Sequence, residues 1–500
     1  MQGDAIKPDS EKQQLPDGPL PTSPAEDADL DAPLARNPTQ SEWVKLDKNE
    51  DPRQWSFTKR SIVTTWASTL LFFSTLASSA PSGASEKIMD QLGATRIESV
   101  LVVSMFLFGY VGGPFLYAPL SEVYGRRPTF FWGTIVYTIW LGACAGCQSI
   151  TSLLVCRFFA GFFASSPQTN SGAAIADVWP PKSRGIPMAL YSLSPFAGPS
   201  LGPLLGGFIG DSYLDWRWTF IVLTFTGVFA SAVTWFLPET YVPVLEYEKA
   251  KRMRRAGHAF AKSGLDPLRK SWKQEIGRWF LRPAEMLVME PVLLCMTIYL
   301  AFAYTFLYIA IQAYPIIFED KHGLNAGLAG CAFLSIFIGC ALSVPVSFYF
   351  NKQYLRNIDR NDGVAMPEFR LPMGNLGGVS LCISIFWLGW TGYRSDINLF
   401  APMASGIFTG LGTSLIFRGF QTYLIDFYEK NAASAVAAVV VIRSLLAGAV
   451  PIVAHPMFIN MGVNWACTLL GCIVLLLIPL PLVFARYGPW LRSKSRFVPR

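Results

Sequence analysis

Charge is scarce in this 500-residue chain: Lys, Arg, Asp and Glu make up 15% of it, against 52% hydrophobic residues. A soluble domain carries about a quarter charged residues, so a water-facing surface of this size cannot be covered and a soluble globular protein is excluded. Histidine is scarcer still: the three, His258, His322 and His455, stand far apart. No His/Asp/Glu cluster has ligand spacing for a metal, and no Gly-rich loop with a Lys offers a phosphate cradle. A membrane-embedded enzyme therefore finds no residues for its chemistry, and no cofactor is implied. Asn-x-Ser/Thr acceptors without an intervening Pro are missing, and the polar start lacks a charged-then-apolar leader pattern. The nine cysteines fall inside apolar runs, which speaks against a disulfide framework. Cys144 and Cys147 form a C-x-x-C among small residues, where close packing is the expected role.

Apolar length is what the chain has in quantity. Runs of about twenty residues, enough to cross a bilayer core, recur near 60–80, 98–119, 129–147, 151–171, 186–210 and 217–237. A second set follows near 290–317, 327–350, 371–391, 397–417, 432–458 and 464–485. Lipid offers no water to loose backbone groups, so each run is expected to be helical. The expected fold is an all-α membrane protein with twelve transmembrane helices in two six-helix bundles, 57–237 and 290–486. Around them lie a disordered cytoplasmic tail (1–56), a cytoplasmic central loop (238–289) and a C-terminal cytoplasmic tail (487–500). Of 41 lysines and arginines only Lys87, Arg96, Arg217, Lys321 and Arg394 fall on the far side if the N-terminus is inside, the sidedness that the positive-inside rule demands. The net charge of +7 follows from this asymmetry and does not imply nucleic acid. The basic stretch Lys249, Lys251, Arg252, Arg254 and Arg255 is read as an amphipathic segment facing solvent or lipid headgroups.

The halves echo each other. Ile175-Ala-Asp177-Val-Trp179 is followed by Pro187-Met-Ala189, and Leu424-Ile-Asp426-Phe-Tyr428 by Val436-Ala-Ala438, both offset by 249 residues. Half the chain length is where a duplicated bundle places such a repeat.

After the second run comes Gly109-Tyr-Val-Gly-Gly-Pro114 and then Ala118-Pro-Leu-Ser-Glu122-Val-Tyr-Gly125-Arg126-Arg127-Pro128. Gly125 permits a sharp turn, and Glu122 with the two arginines can make charged contacts that hold in one conformation and break in another; a turn obeying sidedness is the plainer reading. The fifth run holds Gly198-Pro199-Ser-Leu-Gly202-Pro203-Leu-Leu-Gly206-Gly207. Glycines four apart line one helix face and admit another backbone, while prolines permit bending.

The first of these segments resembles the loop signature of the major facilitator superfamily, with Ala118 where Gly is usual. The resemblance implies an inward gate of Glu122, Arg126 and Asp177, with Glu122 near the start of helix eleven, where Asn431 is a good capping residue. The fifth-run segment resembles the antiporter motif of drug-exporting facilitators. Asp51-Pro-Arg-Gln-Trp55-Ser56, Arg157-Phe-Phe-Ala-Gly161, Trp216-Arg-Trp218, Leu237-Pro-Glu-Thr-Tyr241, Glu290-Pro291 and Ala432-Ala-Ser-Ala435 through Arg443-Ser444 narrow the likeness to the fungal twelve-span drug:proton antiporters. That family implies the major facilitator fold, alternating access, a proton gradient in place of a cofactor, and the plasma membrane.

An ionisable residue in a bilayer costs about 2.5–3.5 kcal/mol on insertion scales, and two clear cases occur, Arg157 and Arg443. Arg443 either faces a cavity and contacts an anionic or electron-rich group, or serves helix carbonyls; the family motif sets Arg157 near the coupling machinery. Tyr304, Tyr308 and Gln312 recur at i+4 and share a face that could grip a flat organic molecule, or could simply pack. No carboxylate falls mid-span, so neutral, aromatic or acidic substrates fit better than cations. Glu290 and His455 join Arg157 as candidates for proton coupling. The reading is a monomeric secondary transporter that exports small organic molecules with protons. An importer of polyamines or organic acids is the alternative, and a transport-incompetent sensor a third.

Overall fold

The structure, a computed structural model, describes residues 42–180, 183–257, 261–265 and 281–497. The disorder expected over residues 1–41, the last three residues, His258 and the central loop over 266–280 lie outside the described residues.

Among the described residues, ten helices are long and apolar enough to cross a membrane. Two more fill the third and fifth places: Thr, Gly and aromatic residues dilute the hydropathy of one, and prolines with a break after Tyr191 shorten the other. In chain order they are α1 (Phe57–Ser79), α2 (Arg96–Tyr124), α3 (Arg126–Ala145), α4 (Ile150–Val178), α5 (Gly185–Tyr191 and Ser194–Asp211) and α6 (Arg217–Phe236). The second set is α7 (Pro291–Tyr314), α8 (Ala326–Cys331 and Leu334–Arg360), α9 (Leu371–Gly392), α10 (Phe400–Tyr428), α11 (Ala432–Met461) and α12 (Val463–Leu477 and Pro479–Lys494).

Local chemistry sets several starts. The Ser56 hydroxyl accepts the Lys59 N–H before α1, and Ser149 accepts the Ser152 N–H before α4. Thr95 and Glu98 form a reciprocal capping box at α2. Large apolar side chains such as Trp132, Ile139, Phe229, Val453 and Leu476 are exposed around the outside. In water such a belt would drive aggregation; facing lipid it is what a spanning helix requires.

The duplication is legible in backbone contacts. A Cβ on Gly161 of α4 would meet the Phe106 carbonyl of α2 at 2.0 Å, and one on Gly410 of α10 would meet the Ile336 carbonyl of α8 at 1.9 Å. In reverse, Gly109 faces the Phe158 carbonyl at 2.3 Å, and Gly339 faces that of Ile407 at 2.0 Å. Positions 158 and 407, like 161 and 410, stand 249 apart, the offset of the sequence echo. Each half thus presses one helix pair together through a matched pair of glycines. The halves meet where α2 faces α11 and α5 faces α8, with Gly448 against the Phe108 ring and Gly330 against the Pro203 carbonyl.

Three expectations need correcting. Residues 42–56 are folded, not disordered: β1 (Glu42–Trp43) pairs in parallel with β2 (Ala261–Lys262), and Trp55 is buried. The second bundle does not end at 486, because α12 runs to Lys494 past Pro479, Pro481 and Pro489. Helix α10 continues eleven residues beyond 417 to Tyr428; hydropathy ends at a charge, but the hydrogen-bond ladder does not. Residues 42–56, the central segment and the C-terminal residues gather at one end, called the terminal face, where Lys249 contacts Asp47 and Ser495 contacts Glu290.

Candidate functional site

At the terminal face each half closes on an ion pair. Arg126, opening α3, donates to Asp177 near the end of α4 at 3.1 Å. Arg370, before α9, donates to Asp426 near the end of α10 at the same distance. Gly125 turns with φ 104°, and a Cβ there would meet the Glu239 carboxylate at 2.3 Å. Glu239 occupies that space to accept the backbone N–H groups of Arg126, Arg127, Thr240 and Tyr241, filling the positive end of α3. Burial nevertheless leaves its carboxyl above the ordinary range. Arg127 donates to the Trp235 carbonyl. Glu122 makes no hydrogen bond or ion pair among the described residues, and Asn431 does not cap α11. Its amide instead accepts from Arg282 at 2.6 Å and donates to the Phe497 carbonyl at 2.5 Å.

Between the halves runs α5. Its glycines face two ways. Gly198, Gly202 and Gly206 sit against Thr75, Ser79 and Ala80 of α1 and the residue after it, where Cβ atoms would come within 1.9–2.1 Å. Gly207 turns to the other half, 2.4 Å from the Ala326 carbonyl by the same measure. Pro199 and Pro203 lie inside the helix. One turn on, the Gly327 N–H donates to Asp211 at 2.6 Å, so α5 and α8 are joined at the face opposite the termini.

The middle of the molecule holds three arginines. Arg157 is fully buried and donates to the carbonyls of Val102, Ala77 and Ser78 at 2.8, 2.9 and 2.8 Å, against the Phe106 ring. It knits α1, α2 and α4. Arg418 lies within α10 and was invisible as an intramembrane charge because the apolar run stops at 417. It is buried and donates to Ser192 across the seam at 2.5 Å, to the Ser343 carbonyl at 3.1 Å and to the Ser347 hydroxyl. Arg443 is the exception. It is 1% exposed, and none of its three nitrogens has a hydrogen-bond partner among the described residues. Its guanidinium carbon sits 4.2 Å from the Tyr304 ring centroid and 5.2 Å from that of Phe417.

Aromatic groups surround this cation. Phe196 of α5 packs edge-on to Tyr304 and Phe417 at 6.0 and 5.2 Å. The Tyr304 and Tyr308 hydroxyls are 3.2 Å apart, and Tyr308 reaches Ser78 of the other half at 2.9 Å. Gln312 does not join them. Eight residues along α7, about 12 Å from Tyr304, it lines a small pocket with Arg96, Ser82 and Ser99. A cavity of about 390 Å³ opens on the terminal face between the halves, lined by Arg184, Asn351, Tyr354, Arg370, Arg418 and Asp426 among others. Arg418 forms its inner wall, and the adjacent Phe417 covers Arg443.

The family model of the major facilitator superfamily matches residues 67–451. The chain belongs to that superfamily. Its curated relatives include the ascochitine biosynthesis cluster transporter of Didymella fabae, 36% identical over 92% of this chain and 89% of that protein. The efflux pump FUBT of Fusarium oxysporum is 36% identical over 86% of this chain and 74% of the pump. Among solved structures, the proton:xylose symporter XylE has a TM-score of 0.62 at 15% identity, covering 86% of this chain and 97% of the symporter. At that identity the likeness shows the fold, and these proteins are transporters, not enzymes.

Within this facilitator, the sequence-predicted Tyr304, Tyr308 and Arg443 converge, as do Arg126 and Asp177. Glu290 is a tether at the terminal face: it accepts from Tyr428, Ser495 and the Arg496 N–H at 3.3, 2.8 and 3.1 Å. His455 keeps a partnerless buried Nδ1 near the far face. Cys144 is buried, and Cys147 pairs with Cys156 at 3.8 Å, a thiol contact rather than a bond. Sequence reading missed Arg418, Glu239, Phe196 and Phe417. The Pro-Glu-Thr-Tyr segment carried the signal for Glu239. The two phenylalanines, among 37 in the chain, carried none.

Proposed function

We propose that this facilitator exports small organic molecules by alternating access, drawing on the proton gradient, from a plasma membrane in which both termini are cytoplasmic. The observation that carries the reading is Arg443, a buried cation with empty donors between aromatic rings at the seam of the halves. Ionisable side chains within a membrane bundle mark substrate pathways, which makes Arg443 the residue that would meet a ligand. The route supports it: the cavity on the terminal face reaches Arg418, one residue from the ring that covers Arg443, while Asp211, Gly327 and Gly207 join the halves at the other face. Opening the far side requires parting α5 from α8, and the glycine face of α5 gives a close seam on which α1 can slide. Relatives named as an efflux pump and as a metabolite-cluster transporter support the outward direction.

Of the coupling candidates, His455 retains a free ring nitrogen that can take a proton, whereas Arg157 and Glu290 are engaged. Substrate flux in reconstituted vesicles with and without an imposed pH gradient tests the reading. Gradient-driven movement away from the terminal face is expected. Movement toward it would make the protein an importer, and flux indifferent to the gradient would remove the proton.

A further inference from the structure

We infer that the substrate is a planar aromatic organic anion, held through a carboxylate or equivalent acidic group by Arg443; this rests on the reading of the seam as the transport route. The geometry leaves little choice. A guanidinium is charged at every accessible pH and carries five N–H donors in one plane. Tyr304 and Phe417 lie within cation–π distance of its central carbon, contacts that use none of its N–H donors. The donors at its edges point within the plane, and neither Nε, Nη1 nor Nη2 meets an acceptor. The complement of an in-plane fork is a flat two-oxygen anion, which it binds by paired hydrogen bonds.

The surroundings choose among ligands of that kind. No carboxylate pairs with Arg443 among the described residues; the salt bridges of the bundle lie at its ends, at Asp177 and Asp426. A cationic substrate would meet uncompensated positive charge. A neutral one could accept from some of the donors but would leave the charge uncompensated. Phe196, Tyr304 and Phe417 supply ring edges and faces for an aromatic body. Along the way in, Arg184, Arg370 and Arg418 outnumber the single acid Asp426 in the cavity wall, which biases entry toward anions. The contrast with Arg157 is internal to the molecule: each nitrogen of that cation donates to a carbonyl.

The test uses the full chain purified in detergent. Binding of benzoate, 2-naphthoate and anthracene-2-carboxylate is measured by equilibrium dialysis and by thermal stabilisation, beside the methyl ester and the aminomethyl analogue of each ring. At least one acid is expected to bind tenfold or more tightly than its ester and amine. Arg443→Gln is expected to erase that preference, and Arg443→Lys to keep part of it. Esters or amines binding as well as acids, a preference that survives Arg443→Gln, or no binding by any acid would each overturn the assignment. The comparison of acid with ester needs only the native protein, so a poorly folding variant does not protect the idea. Binding in detergent has no direction. Inward flux of a bound acid would therefore defeat the export reading and leave the anion site standing, and outward flux of the neutral esters but not the acids by the native protein would do the reverse.

Discussion

Arg157 and Arg443 occupy comparable surroundings in the two bundles, both buried among apolar helices, yet every nitrogen of one donates to a carbonyl and, among the described residues, no nitrogen of the other has a partner. A buried charge is therefore not a single kind of feature. Arg157 ends three carbonyls that helix geometry leaves able to accept a second bond, and it ties three helices with one side chain. Arg443 ties nothing by hydrogen bonds. The first fastens helices and the second has no hydrogen-bond partner among the described residues, and both look the same as a lone Arg in an apolar run.

The widest separation between them should appear in paired replacements. Arg157→Met removes the bonds to Ala77, Ser78 and Val102, and a hydrogen bond to a charged group contributes about 1.5–3 kcal/mol; melting of the purified protein should fall sharply. Arg443→Met removes a charge that has no partner, so melting should hold or rise, while transport is lost. Arg443→Ala is expected to abolish flux and Arg443→Lys to keep some. Equal destabilisation by the two Met variants would break the distinction.

Next in size is the test of the duplication. Gly161→Ala and Gly410→Ala place a Cβ about 2 Å from the carbonyls of Phe106 and Ile336, and overpacking of this kind costs about 1–3 kcal/mol. The two losses should match, because both halves use the same contact. A loss in one half alone would mean that the bundles bear load differently despite their common plan.

The fold was legible because its causes are local. Apolar length forces helices in lipid, and the spacing of Asp177 and Asp426 exposed the repeat before any contact was known. The ion pair at the terminal face was half legible: Arg126 and Asp177 meet, but the partner that fills the turn at Gly125 is Glu239, more than a hundred residues away. The centre was the least legible. Arg443 and Tyr304 could be named from their places in the runs, since a charge or a polar ring in such a run stands out. Gln312 shared their face, but helical rise carries it a full two turns away from Tyr304. Phe196 and Phe417 are ordinary residues until folding sets them around a cation. Arg418 was lost to a boundary, because hydropathy sums residues and a helix continues past them.

The two terminal ion pairs sharpen the comparison further. Side chains of Arg126 and Asp177 are 9% and 18% exposed, those of Arg370 and Asp426 23% and 31%. The drier pair is screened less, and Glu239 fixes the backbone of its arginine as well. Asp177→Asn should therefore cost more than Asp426→Asn, about 1–2 kcal/mol against 1 kcal/mol or less. Both should raise accessibility of the seam to thiol reagents from the terminal face, the first more than the second. The opposite order would show that burial does not rank the gates.

The halves differ last in what covers them: among the described residues, residues 42–56 are clasped to the central segment beside the first, and the C-terminal residues lie against Glu290 and Asn431 of the second. Lys249 donates to Asp47 and Glu50 at 2.7 Å each, which lowers the Glu50 carboxyl below its ordinary range and raises the Lys249 ammonium. The signs agree: stability from Glu50 is present above its unfolded range and fades as pH falls through the lowered value, and that from Lys249 fades only at high pH. All three groups reach solvent, so screening leaves a few tenths of a kcal/mol. Lys249→Ala should barely move melting at physiological salt, and the small difference should vanish at 1 M salt, where the screening length is about 3 Å. A loss as large as that of Asp177→Asn would make the clasp part of the gate, and the leader at residues 42–55 would then belong to the moving machinery of the first bundle.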